Sequence, residues 1–179
     1  SLAILKADDS DILMKLGEML DDMESNGDCT VQDSVIEAIG IYGQSSLHIL
    51  PKLLKLLEKE LLDNAEEISG YPVVKNEICW ALEKIESNSN EVINLLIEVV
   101  KQGKWISTPQ AIMTLSKFGT KSKDVLMHLT KYINGDDYLD HSKSEYILME
   151  ALHKIGGINH PLLKQYIKRL LSSEFEDYQ

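Results

Sequence analysis

Apolar residues recur at helical spacing along this chain, and four stretches repeat one pattern. They are VQDSVIEAIGIYG (31–43), VKNEICWALEKIE (74–86), STPQAIMTLSKFG (107–119) and SEYILMEALHKIG (144–156). Laid over one another without gaps, their columns agree. The fifth column is Val35, Ile78, Ala111, Leu148; the eighth is Ala38, Ala81, Thr114, Ala151. The ninth is Ile39, Leu82, Leu115, Leu152, and the twelfth is Tyr42, Ile85, Phe118, Ile155. Such columns stand at i, i+3, i+4 and i+7, a single stripe on an α-helix. Small Ala or Thr in the eighth column lets a neighbour pack close. The last column is Gly43, Glu86, Gly119, Gly156. Glycine just past a helix end takes the left-handed conformation at little cost.

A second family of helices lies between these. SDILMKL, NEVINLL and KDVLMHL keep one order of cap, apolar pair and leucine. The unit is therefore an outer helix, a turn, an inner helix and a turn. Outer helices are predicted near 9–24, 46–62, 91–102, 121–134 and 160–173, and inner helices near 31–42, 73–85, 107–118 and 143–155. Ser45 or Ser46 is expected to cap the second outer helix, and Asn159 the last. SNGD (25–28), DNAEEISGYP (63–72) and NGDDYLDHS (134–142) read as turns or loops. Inner helices begin at 31, 74, 107 and 144, and no strand signal appears. The expected fold is all-α: an α-solenoid of about four and a half helix pairs, roughly nine helices, as a single domain over 1–179.

YPVVKNEICWALEKI (71–85) resembles the second helix of a HEAT repeat, where Val, a basic residue, Ala-Leu and a terminal Ile recur in that order. Here these are Val74, Lys75, Ala81, Leu82 and Ile85. Pro51 and Pro161 fall early in outer helices, as family prolines often do. The other copies carry Gln32, Thr108 and Glu145 in place of Lys75, and two of the spacings are short for the family. Armadillo-like units stay open beside HEAT-like ones. The resemblance spans about 9–173 and implies a scaffold whose curved inner surface binds proteins or peptides.

Charge narrows the partner. The formal net charge is −11. Residues 1–90 hold seven basic and eighteen acidic side chains and so carry all of it, whereas residues 91–179 hold eleven of each. Nucleic acid and anionic membrane both call for clustered Lys and Arg, so neither is expected as a partner. A basic protein or peptide is. Cys29 and Cys79 are too few for a disulfide framework; they read as free thiols, and the compartment as cytoplasmic.

Candidate chemistry is thin. Asp136, Asp137, Asp140 and His141 lack the spacing of a calcium loop and read as a solvated loop. No histidine falls in a metal motif, and no nucleophile motif or phosphate-cradling loop occurs. Neither a cofactor nor a metal is expected, and the chain reads as non-enzymatic. A lyase-type or DNA-glycosylase-type HEAT-like enzyme, or an enzyme accessory, is the alternative.

With columns 5, 8, 9 and 12 inward, columns 3, 7 and 10 point away from the core, and the resemblance implies that they line the inner surface. The candidate partner-binding residues are Asp33, Glu37, Asn76, Glu77, Trp80, Glu83, Met113, Tyr146 and Glu150. Trp80 and Met113 are large apolar groups where the end copies carry Glu37 and Glu150. Each is either an interface anchor or a side chain packed under a neighbouring loop. The expected role is a protein-binding scaffold that masks a basic partner, as an inhibitor or immunity protein does.

Overall fold

A computed structural model describes residues 9–26, 29–62, 74–103, 107–134 and 144–176. All the regular structure among them is helical. In chain order the α-helices are α1 (Asp9–Asn26), α2 (Cys29–Ile41), α3 (Leu50–Leu62), α4 (Val74–Ile85), α5 (Asn90–Gln102), α6 (Ser107–Phe118), α7 (Leu126–Asn134), α8 (Ser144–Ala151) and α9 (Pro161–Glu176). α1 runs on through Ser25 and Asn26, which the sequence pattern assigns to a turn. Gly27, Asp28, the loop expected over 63–72 and residues 135–142 of the loop expected over 134–142 lie outside the described residues, and Asn134 ends α7.

The chain divides into two compact units, Ser1–Ser87 and Asn88–Gln179. In the first, α2 and α4 lie side by side, and α1 and α3 pack against them. In the second, α6 and α8 lie side by side, α5 packs on α6 and α7, and α9 packs on α7. The four repeated stretches are thus α2, α4, α6 and α8, and columns 5 and 9 of the predicted stripe are core in every copy, whereas Ala38 of column 8 and Tyr42 and Phe118 of column 12 are only half-buried. Val35, Ile78, Ala111 and Leu148 are buried, as are Ile39, Leu82, Leu115 and Leu152. The eighth-column residues Ala81, Thr114 and Ala151 are fully enclosed. Thr114 satisfies its hydroxyl by donating to the Gln110 carbonyl at 2.9 Å.

The turn after each inner helix repeats as well. Gly43, Glu86 and Gly119 take φ of 56°, 57° and 61°, the left-handed region expected of that column. Glu86 holds it without glycine's freedom, at a cost of about 1–2 kcal/mol. The fourth copy departs. Its last turn, Leu152–Gly156, widens to π geometry, and the positive φ passes to Gly157, which at φ 85° and ψ 162° is extended rather than left-handed helical. Gly156 is small for another reason: a Cβ there would lie 2.7 Å from His160 Cγ.

After Gly43 and Gly119 the chain enters seven-residue 3-10 turns, Gly43–Ile49 and Gly119–Val125, before α3 and α7 begin. This shortens two predicted outer helices at their starts. Leu50 opens α3 with Pro51 next, where a missing N–H breaks no helical hydrogen bond. Ser46 is therefore not a cap. It is buried, and its hydroxyl donates to the Ile39 carbonyl at 2.7 Å, satisfying one acceptor left over at the end of α2. Ser122, its counterpart, is buried too. Ser89 does cap α5, accepting from the Val92 N–H at 3.3 Å, and Gly103 closes that helix at φ 71°. At α9 the cap is His160 rather than Asn159: its Nδ1 accepts from the Leu162 N–H at 3.3 Å.

A few polar contacts tie the layers together. Lys52 of α3 donates to the Gly17 carbonyl of α1 at 2.8 Å and pairs with Asp21 at 2.7 Å. Tyr132 of α7 donates to the Val100 carbonyl of α5 at 3.0 Å, and Arg169 of α9 donates to the Tyr132 carbonyl at 3.0 Å. The Cys79 side chain is buried inside the first unit, while the Cys29 side chain lies outside the described residues.

Candidate functional site

The side-by-side packing of α2 on α4 decides which residues face solvent. Gly40 of α2 is the close point. A Cβ there would lie 2.4 Å from Trp80 Cζ3 and 3.2 Å from the Ala81 Cα. The Trp80 ring therefore seats in the notch that Gly40 leaves, and column 10 of α2 faces its neighbour rather than solvent. Column 10 is buried in the next two copies as well, at Glu83 and Ser116. An inner helix meets outer helices on one side and another inner helix on its flank, so its buried arc is wider than one amphipathic stripe. The sixth column joins it: Ile36, Cys79 and Ile112 are fully enclosed.

This corrects the expected outward face. Glu83, expected to be exposed, is only 6% exposed, and its Oε1 lies 3.3 Å from Lys84 Nζ. In the first three copies the accessible line passes instead through columns 4, 7 and 11. On α2 the line is Ser34, Glu37 and Ile41, with Val31 at its start. On α4 it is Glu77, Trp80 and Lys84, all half-buried. On α6 it is Gln110, Met113 and Lys117. In α8 the line is turned: Tyr146 is 68% exposed, Glu150 is half-buried, and His153 and Lys154 are exposed.

Within the first unit Asp33, Asn76, Glu77 and Trp80 lie at the α2–α4 seam, and Glu37 stands exposed on α2 one turn before Gly40. Trp80 is held on two sides, by Gly40 at its ring edge and by Lys84, whose Nζ lies 5.3 Å from the ring centroid. Its ring is thus already in use in holding α2 to α4. Asn76 donates to Glu77 Oε1 at 3.1 Å. Asp33 is half-buried, and its Oδ1 is sealed from solvent without a hydrogen-bond partner. Burial pushes its carboxyl up to about 6, and the neighbouring charges of Glu77 and Glu60 push the same way.

Met113, Tyr146 and Glu150 belong to the second unit. There Lys154 donates a hydrogen bond to Glu150 and holds its carboxyl below the usual range, with lesser help from the Tyr146 hydroxyl and the Lys117 charge. The local ion balance near Glu150 is therefore closed. Near Asp33 the two charges that act on its carboxyl, Glu77 and Glu60, are both anionic. Glu60 is a member of that group the helical pattern does not single out, because it comes from the outer helix α3. Ile41 is another. It is 72% exposed in a column where the other copies carry Lys84, Lys117 and Lys154, and that mismatch is the signal that marks it.

Among the described residues no group of three or more His, Cys, Asp or Glu could hold a metal ion, and no helix is long and apolar enough to cross a membrane. Asp136, Asp137, Asp140 and His141 lie outside the described residues. No protein-family model matches the chain, and neither the curated proteins nor the solved structures include a significant match to it.

Proposed function

We propose that this protein is a non-enzymatic scaffold of the HEAT-like, armadillo-type α-solenoid kind, and that it binds and masks a basic protein. The observation that carries the reading is the concentration of charge. The first unit, Ser1–Ser87, holds all of the net −11, and its inner helices present Asp33, Glu37 and Glu77 with no described basic side chain but Lys84 at their accessible seam. Such a field raises the association rate of a basic partner and rejects acidic ones. The repeated helix pair supports the solenoid part of the reading, because a unit that cannot bury its apolar face alone must stack on the next. Masking follows from the same chemistry: a basic surface covered by this seam is closed to nucleic acid or to an acidic target.

The test is affinity capture from native lysate with mass spectrometry, run in parallel with wild type and with Glu37→Lys/Glu77→Lys. The reading expects a basic protein captured at stoichiometric yield by the wild type and lost from the variant. Capture that is indifferent to the two reversals, or of acidic proteins only, would overturn it.

A further inference from the structure

Resting on that reading, we infer that the accessible line of α2 docks an amphipathic helix of the partner, with apolar residues at both ends of its contact face and basic residues between them.

Among the described side chains of α2, four are exposed: Val31, Ser34, Glu37 and Ile41. They fall on one side of the helix, within an arc of about 120° at roughly 100° per residue. The order along that side is apolar, polar, acidic, apolar. Val31 is 40% exposed and Ile41 72% exposed, although both stand on a helix whose opposite side is core. At about 1.5 Å per residue the two apolar ends lie about 15 Å apart, close to three helical turns. A partner helix laid along α2 would meet both ends with side chains ten or eleven positions apart. It would bring the residues between them over Glu37.

The flanks of the line have the same character. On the α4 side, Trp80 seats on Gly40, one residue before Ile41 and three after Glu37. Its half-buried ring extends the apolar end at Ile41 sideways. Towards the start of the line, Asp33 stands against Glu77, with Glu60 of α3 near enough to add its charge. A lysine or arginine from the partner would find anionic groups along the middle and the flank of the contact. Complementarity of charge sets the sign of the partner, and the apolar ends set its register. An extended basic tail would satisfy the carboxylates but leave Ile41 uncovered. A helix with matched ends covers both.

The probe is a dye-labelled synthetic helix-forming peptide of Leu, Ala and Lys, with Leu at positions ten apart and Lys between them on one face. Two companions share its design: one of the same composition with the Leu and Lys positions scrambled, and one with Glu for Lys. Fluorescence anisotropy with the full chain gives the affinities. The patterned peptide should bind at least tenfold more tightly than the scrambled one, and the Glu peptide should not bind. Ile41→Glu should weaken the patterned peptide tenfold or more, and so should Glu37→Lys at low salt. Asp11→Lys, an equal change of charge on α1, should change binding less than twofold. All three positions are exposed, so circular dichroism should show the same helical content in each variant. Equal binding of patterned and scrambled peptides, no binding of either, or equal losses from Asp11→Lys and Glu37→Lys would overturn the inference. The reading beneath it fails separately. A basic protein captured from lysate by wild type and by Ile41→Glu alike, yet lost with Glu37→Lys/Glu77→Lys, would remove the helix and keep the acidic seam.

Discussion

Replacing Gly40 by alanine tests the seam between α2 and α4 more sharply than any truncation of the core. Two effects oppose each other at this position. In a helix interior Ala is favoured over Gly by about 1 kcal/mol. Against that, the new Cβ would lie 2.4 Å from Trp80 Cζ3 and 2.8 Å from Cε3. Neither distance is tolerable for carbon, so the ring must leave its seat or α4 must shift, and overpacking of this kind costs about 1–3 kcal/mol. The net change for Gly40→Ala should therefore be a destabilisation of up to about 2 kcal/mol, with the propensity gain masking part of the clash. In a Trp80→Ala background the ring is gone. Of the three nearest atoms the Ala81 Cα at 3.2 Å then remains, an approach that a shift of a few tenths of an ångström would relieve. The same substitution should then stabilise by about 0.5–1 kcal/mol, so its sign inverts. Urea unfolding of the four proteins, followed by circular dichroism, closes the cycle. A coupling of about 1 kcal/mol or more is expected, well outside the roughly 0.3–0.5 kcal/mol within which independent sites add. Additivity would mean that Trp80 does not rest on Gly40, and the assignment of column 10 to the helix–helix seam would fall with it.

Other consequences are simpler. Glu86→Gly should raise the urea midpoint by about 1 kcal/mol in equivalent stability, since it relieves a left-handed glutamate at the cost of an exposed 3.0 Å hydrogen bond from Gln44; an unchanged or lowered midpoint would count against that strain. Leu82→Ala should cost about 2–5 kcal/mol, the range for a truncated core leucine. Glu83→Ala should cost about 1 kcal/mol or more rather than the near-zero change of a surface site, because that carboxylate is buried and hydrogen-bonded; a null result in chemical denaturation would restore it to the surface. Asp33 makes the first unit sensitive to proton concentration. Its folded pKa of about 6 lies above its ordinary 3.8, so folding favours the protonated carboxyl. Its destabilising contribution is absent below about 3.8, grows as pH rises to about 6, and is complete above that. Asp33→Asn should thus be more stable than wild type at neutral pH, and the difference should shrink on acidification through that window, which paired urea titrations would reveal.

The helices and their glycine-type ends were legible because each is a local property, whereas the caps expected at Ser46 and Asn159 were not found. Columns 5 and 9 are buried in all four copies, and the predicted left-handed column is left-handed at Gly43, Glu86 and Gly119. Even the glutamate in that column follows its glycine counterparts, since position in the repeat outweighs the preference of one residue. Where the pattern misled, the cause was a neighbour that no helical period encodes. The Gly156 column moved to Gly157 because the preceding turn widened. Ser46 turned inward because the chain tightened into a 3-10 turn after Gly43. Glu83 was read as exposed because a single stripe assumes a single buried side, whereas these inner helices are packed on a flank too. The candidate site suffered the same shift. Asp33, Asn76, Glu77 and Trp80 lie at the α2–α4 seam, but Trp80 is partly spent on packing against Gly40, and the exposed Val31 and Ile41 and the neighbouring Glu60 were not singled out by the pattern. Met113, Tyr146 and Glu150 belong to the second unit.

Hydrogen exchange on the full chain, free and saturated with the basic protein it captures, tests the proposed function most directly. Amides of exposed, unpartnered helix faces slow when a partner covers them. The proposal predicts new protection in peptides spanning 31–41 and 74–85, with the outer helices over 50–62 and 126–134 unchanged. Protection confined to the outer helices or to the second unit would contradict it.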